Sequence, residues 1–277
     1  MSAQASDAVQ VARDYYNSDD ADNFYYEIWG GEDIHIGLYN DQVEPIAVAS
    51  ERTVTAMAEQ LNLLGEQARV ADFGAGYGGS ARWLAKRIGC HVSCVNLSEV
   101  QNTRNRELTD AAGLTHLIDV FDASFENAPL EDAAFDIVWS QDSILHAGDR
   151  AQVMDEIDRI LKPEGEFIFT DPMQADDCPA GVLQPVLDRL HLQSLGSIAF
   201  YRSQAKRLGW TEVRVSDLTH QLVKHYSRVR QELVNRKASL ASSISAAYAE
   251  RMIQGLTNWI EAGSKGHLAW GILHFRK

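Results

Sequence analysis

No run of 18 apolar residues occurs in the 277-residue chain, so a membrane-spanning helix is not expected. Cysteine is scarce. Cys90, Cys94 and Cys178 form no C-x-x-C pair, which argues against a disulfide framework and against a zinc site. Basic residues are outnumbered, 25 against 39 acidic, for a formal charge of −14. With no basic patch to offset that charge, nucleic acid is not an expected partner. Residues 1–10 lack the basic and apolar regions of a signal peptide, so the expectation is a soluble, cytoplasmic protein. Repeats, low-complexity tracts and linkers are absent too, and the length suits one α/β domain over 1–277.

What is present centres on residues 70–79, VADFGAGYGG. An apolar run ends at Asp72 and Phe73, and Gly74, Gly76, Gly78 and Gly79 follow. Such a run reads as a buried strand entering a tight turn, where glycine accepts positive φ and admits a ligand close to the main chain. Residues 80–89 then have helical composition with a terminal glycine. Gly74, Gly76 and Gly79 satisfy the G-x-G-x-x-G dinucleotide pattern, which wants a pyrophosphate at the helix N-terminus. Asp72 argues against that ligand, because a carboxylate there repels pyrophosphate and attracts a cationic amino acid group. The D-x-G-x-G-x-G spacing of Asp72, Gly74, Gly76 and Gly78 resembles the first motif of class I S-adenosylmethionine-dependent methyltransferases.

In chain order, residues 9–29 read as helical, with Ser6 or Asp7 as a cap and aromatics at Tyr15, Tyr16, Phe24, Tyr25 and Tyr26. Residues 29–39 form a loop rich in glycine and aromatics, part of an N-terminal helical lid over 1–50. Helical spacing predicts a helix over 51–64, which leads into the first strand. Further strands are expected at 91–97, 117–121, 135–139 and 166–170, with a helix opened by a Ser98/Gln101 capping box and another over 149–161. Insertions are expected at about 172–208 and 219–265, the second largely helical over 225–262. The stretches 212–218 and 267–275 alternate as strands and can form an antiparallel pair. The expected fold is therefore α/β, a Rossmann-like seven-stranded sheet with an antiparallel last strand, a lid and helical insertions.

Residues 28–39 (IWGGEDIHIGLY), 139–146 (WSQDSILH), 166–179 (EFIFTDPMQADDCP) and 266–275 resemble the sarcosine/dimethylglycine N-methyltransferases. The resemblance runs from about residue 15 to the end. It implies methyl transfer from S-adenosylmethionine to sarcosine and then to N,N-dimethylglycine, giving glycine betaine and S-adenosylhomocysteine. It also implies cofactor contacts from Tyr25, Trp29, Asp72, Gly74, Ala75, Gly76, Asn96, Leu97, Gln101, Asp122, Ala123, Ser124, Ser140 and Gln141. Asn96 stands where related folds place an acidic residue on the ribose hydroxyls, and Asp122 where one meets the adenine amino group. Substrate contacts are expected from Tyr26, Trp29, His35, Tyr39, Gln141, Met173, Tyr201 and Arg202. Where glycine-preferring relatives carry an arginine after the fifth strand, this chain has Pro172 and Met173. That substitution suits a bulkier, methylated amine and leaves Arg202 as the first candidate for the substrate carboxylate.

The chemistry sets further requirements. A neutral amine displaces the sulfonium methyl in line, so neither oxyanion hole nor metal is needed, and alignment can supply about 7–11 kcal/mol. A free amine titrates near the lysine value of about 10.4, which makes His35 and His146 candidates to take its proton or orient it. The quaternary ammonium product gives the faces of Tyr25, Tyr26, Trp29, Tyr39 and Tyr201 a reason to surround the site. A methyltransferase of another small acceptor such as phosphoethanolamine is the alternative, followed by a nucleoside-binding module without catalysis and a nicotinamide oxidoreductase. Monomer and homodimer are equally compatible with the sequence.

Overall fold

A computed structural model describes residues 10, 13, 14, 16–41, 43–190 and 192–277. The expected caps Ser6 and Asp7, and Tyr15, lie outside these residues. Helix α1 (Asp19–Phe24) starts at Ser18, whose hydroxyl accepts from the Ala21 N–H at 3.3 Å, and carries Asp19, Asp20 and Asp22 in its first turn. These charges complement the helix dipole. The continuation differs from a plain α-helix: Tyr25–Trp29 forms a π-helical turn before Gly30. That wider turn holds Tyr25, Ile28 and Trp29 inward together.

Helix α2 (Ile46–Ala58) begins after Pro45 and ends six residues short of the expected 64. Leu61 and Leu64 still pack against the sheet, from a turn rather than from a helix. Strand β1 (Arg69–Phe73) follows, then α3 (Gly79–Ile88), β2 (His91–Asn96), α4 (Glu99–Ala111) and β3 (Ile118–Asp122). The Ser98 hydroxyl caps α4 by accepting from the Gln101 N–H at 3.2 Å. The Gln101 side chain instead accepts from Asn96 Nδ2 at 3.0 Å, so only half of the expected capping box forms.

Beyond β4 (Phe135–Gln141) and α5 (Arg150–Ile160) comes β5 (Leu161–Thr170), five residues longer at its start than expected. Leu161 already pairs with Phe135, and the register shift before Ile137 absorbs residues 162–165, a bulge with Glu164 at positive φ. Two residues of β6 (Met173–Gln174) precede α6 (Gln184–Leu190), α7 (Ile198–Arg207) and β7 (Thr211–Asp217). Helices α8 (Thr219–Arg236) and α9 (Ala246–Ser264) pack together, and the stretch expected as one last strand divides into β8 (Leu268–Ala269) and β9 (Gly271–Arg276).

The main sheet has the order β3-β2-β1-β4-β5-β9-β7, with β9 antiparallel to both neighbours and the other pairs parallel. Strand order reverses between β1 and β4. At such a switch the carboxyl ends of the strands open a crevice for a ligand. A separate aromatic-rich core joins the lid residues Phe24, Tyr25 and Trp29 to Leu222, Tyr226 and Trp259 of α8 and α9. Among the described residues no helix is long and apolar enough to cross a membrane.

Candidate active site

The switch-point crevice is a real cavity, floored by Asp72, Gly74, Ala75, Gly76, Asn96 and Leu97. Gly74, Gly76 and Gly78 all have positive φ (77°, 54° and 77°), which fits the turn the spacing implied. A Cβ at Gly74 would drive into Ser143, and one at Gly78 into Asn105. Asp72 is 3 % exposed, and its carboxylate receives no hydrogen bond from the described residues. Burial lifts its pKa to about 7, with His35 opposing and Asp33 adding to the rise.

The lid segment forms the facing wall. Asp33, Ile34 and His35 line the cavity, and the backbone N–H of Ile36 donates to Asp142 Oδ2 at 2.6 Å. Burial works against a charged His35 ring, but Asp33 and Asp142 outweigh it and its pKa is raised. Burial also raises the Asp142 pKa, against the N–H of Ile36, His35 and the Trp270 indole. Asp142 adopts a left-handed φ of 51°, a conformation that costs a non-glycine residue and is held here by three bonds.

Of the expected site residues, the cavity brings together His35, Asp72, Gly74, Ala75, Gly76, Asn96, Leu97, Gln101, Ser124, Gln141 and His146. Gln141 Oε1 accepts from Ser80 Oγ at 2.5 Å and from Trp139 Nε1 at 2.9 Å, leaving its buried Nε2 without a partner among the described residues. The hydroxyl of Tyr16 meets His146 Nε2 at 2.8 Å, and the two rings are edge-on at 5.2 Å. Tyr16 lines the cavity as well. Tyr25 and Trp29 form the next layer, Tyr25 at 5.4 Å from Tyr16 and Trp29 at 5.2 Å from Tyr25.

Other expected residues lie elsewhere. Arg202 is half-exposed on α7 and forms an ion pair with Glu212 at 2.8 Å, well placed to tie α7 to β7 but not to meet the cavity wall. Tyr201, beside it, is fully buried and donates to Asp171 Oδ2 at 2.7 Å. Met173 is buried in β6 against Ala269, within the core that holds Phe169 and Tyr201. Asp122 binds Asn102 Nδ2 and Arg106 Nη2, each at 2.7 Å, which joins β3 to α4. Ser140 donates to the Phe73 carbonyl at 2.8 Å, and the Ala123 N–H to the Asn96 carbonyl at 3.2 Å. Tyr26 stacks against Arg104 at 4.4 Å, and Arg104 in turn pairs with Asp22. Tyr39 sits behind the cavity wall with its hydroxyl on His225 at 2.9 Å.

Asp33, Ser80, Phe125, Asp142 and Tyr16 line the cavity without having been singled out. Asp142 had a signal, since it follows β4 at the sheet edge where ligands bind. Asp33 had none, because the fold of an irregular loop decides which of its carboxylates turns inward.

The arrangement belongs to a methyltransferase: residues 71–169 match the methyltransferase domain family, covering the sheet from β1 through β5. Over 270 residues the chain is 57 % identical to the sarcosine/dimethylglycine N-methyltransferase of Halorhodospira halochloris, covering 98 % of this chain and 97 % of that protein. The enzyme of the same name from Aphanothece halophytica is 55 % identical over 273 residues, 98 % of this chain and 99 % of that one. A solved structure from Galdieria sulphuraria, described as a candidate sarcosine dimethylglycine methyltransferase, superposes with a TM-score of 0.90 at 44 % identity, covering 95 % of this chain and 98 % of the other. This chain belongs to the sarcosine/dimethylglycine N-methyltransferase family.

Proposed function

We propose that the enzyme moves methyl groups from S-adenosylmethionine to the nitrogen of sarcosine, then of N,N-dimethylglycine, and so makes glycine betaine. The observation that carries this reading is the Asp72 cavity with Tyr16 on its wall, backed in turn by the rings of Tyr25 and Trp29. Small amines are the partners in this reading and the cytoplasm is the site of action, with the chain as monomer or homodimer.

The residues present fit the methyl donor. Asp72 offers a cationic amino acid group a carboxylate that no described residue hydrogen-bonds, and the left-handed glycine turn offers open main chain. Asn96 and Leu97 suit the ribose side, while the buried amide nitrogens of Gln101 and Gln141 are donors without an acceptor among the described residues. When bound, the sulfonium supplies an activated methyl group. The protein's work is to align the amine with it, which is worth about 7–11 kcal/mol, and to exclude water.

Burial opposes charge on His35, yet Asp33 and Asp142 raise its pKa, so its ring is engaged with these carboxylates. His146, hydrogen-bonded to Tyr16 on the cavity wall, is the better placed of the two to receive or steer the amine proton. The faces of Tyr16, Tyr25 and Trp29 stabilise the ammonium as charge passes to nitrogen.

The test is methyl transfer from labelled S-adenosylmethionine to glycine, sarcosine and dimethylglycine in parallel, with products identified by mass. Dimethylglycine and betaine should form from the last two, with little product from glycine. Turnover with none of the three would refute the acceptor assignment while leaving the methyltransferase class intact.

A further inference from the structure

With Arg202 engaged by Glu212 on the surface, the carboxylate of the amino acid acceptor needs another partner. His225 of α8 supplies a donor. Its Nδ1 accepts the backbone N–H of Gly37 at 3.1 Å and meets the Tyr39 hydroxyl at 2.9 Å. A ring nitrogen that accepts a backbone N–H carries no proton, so in the neutral ring the proton sits on Nε2. That Nε2–H is fully buried and has no acceptor among the described residues. Trp29, with its ring 5.1 Å away and 5 % exposed, has a buried Nε1–H in the same condition.

Two buried ring donors, on rings in edge-on contact, are costly if left empty. Natural proteins rarely leave such groups unpaired without a use for them. Burial, with His35 as the lesser cause, lowers the His225 pKa to about 3, so its Nε2–H donates from a neutral ring. Arg228, three residues along the same helix, adds positive charge felt at Tyr39.

We propose that Trp29 Nε1–H and His225 Nε2–H together anchor the carboxylate of the acceptor amine. This rests on the amino acid reading of the acceptor given above. The carboxylate held at Trp29 leaves the short amino acid's nitrogen beside Tyr25 and the cavity wall. Two neutral donors suit one carboxylate and give poor compensation to a phosphate dianion, which selects against phosphorylated acceptors. Sequence reading misses His225 because it lies in mid-helix, nearly 190 positions from the segment it serves.

The experiment measures dimethylglycine binding to the protein saturated with S-adenosylhomocysteine, together with KM and kcat, in three variants. Asn in His225→Asn keeps an acceptor for the Gly37 N–H and removes the outer donor, whereas His225→Gln restores a donor at the outer position. Trp29→Phe keeps the aromatic face and loses only the N–H. His225→Asn and Trp29→Phe should each weaken dimethylglycine binding and raise KM about tenfold or more, with S-adenosylhomocysteine affinity unchanged; His225→Gln should recover part of the loss. Dimethylglycine affinity unaltered in both His225→Asn and Trp29→Phe, in folded protein that binds S-adenosylhomocysteine, overturns the anchor alone. Wild-type protein that neither binds nor methylates dimethylglycine overturns the acceptor reading on which the anchor rests.

Discussion

Trp270 Nε1 donates to Asp142 Oδ1 at 2.7 Å, so the linker between β8 and β9 grips the same carboxylate that receives the Ile36 N–H. One side chain thereby joins three distant segments at the cavity wall. Asp142→Ala strands two N–H donors, at about 1–3 kcal/mol each, and should lower unfolding free energy by roughly 2–5 kcal/mol. Asp142→Asn, which keeps one acceptor oxygen, should lose less. Urea unfolding of the two variants checks the order, and an alanine variant with the wild-type midpoint would show that the tie contributes nothing.

Asp72 carries a pH signature. Its folded pKa, about 7, lies above the ordinary carboxylate value of about 3.9. The folded, ligand-free protein therefore holds a proton that the unfolded chain releases, so Asp72 lowers stability as pH rises from about 4 to about 7. A ligand ammonium favours the ionised form and reverses the preference. S-adenosylhomocysteine should bind several-fold more tightly at pH 8 than at pH 6, with proton release. Calorimetry in buffers of different ionisation enthalpy reads both effects, and Asp72→Asn should weaken binding and flatten the profile.

The Asp72 turn, the sheet strands and the Ser98 cap were legible because each rests on a local rule: alternation or apolar run, glycine at positive φ, hydroxyl before a helix. Strand β5 was read short because Leu161 extends the sheet by pairing across to Phe135, which no local pattern records. Within the site the division is similar. Residues on the glycine turn and at the end of β2 line the cavity as read, their positions being fixed by the sheet. Arg202 lies away from the cavity because it pairs with Glu212 ten positions on, and a surface pair looks no different in sequence from a ligand-binding arginine. Met173 likewise turned out to be core, since β6 pairs with β8 and carries the side chain inward.

Gly74 should tolerate no side chain. At φ 77° an alanine costs about 1–2 kcal/mol of strain, and its Cβ would also displace Ser143, whose hydroxyl donates to the Gly74 carbonyl at 3.1 Å. Gly74→Ala should weaken S-adenosylhomocysteine binding more than tenfold and lower the melting temperature. Gly113→Ala is the control, with φ 69° and open space where the Cβ would go. It should cost stability alone. Equal affinities for the two variants would mean that the turn's close packing does not shape the binding site.

Tyr16 and His146 make the most direct claim on the reaction, because both line the cavity and share a 2.8 Å hydrogen bond. Tyr16→Phe keeps the edge-on ring contact and removes the hydroxyl. If the pair steers the amine proton, general base catalysis of the usual 10²–10⁴ is partly lost, and kcat should fall roughly tenfold or more. Affinity for S-adenosylhomocysteine should stay within about threefold, since the phenyl ring still covers the cavity. A variant with unchanged kcat would confine Tyr16 to covering the ligand and leave proton handling to the solvent or another group.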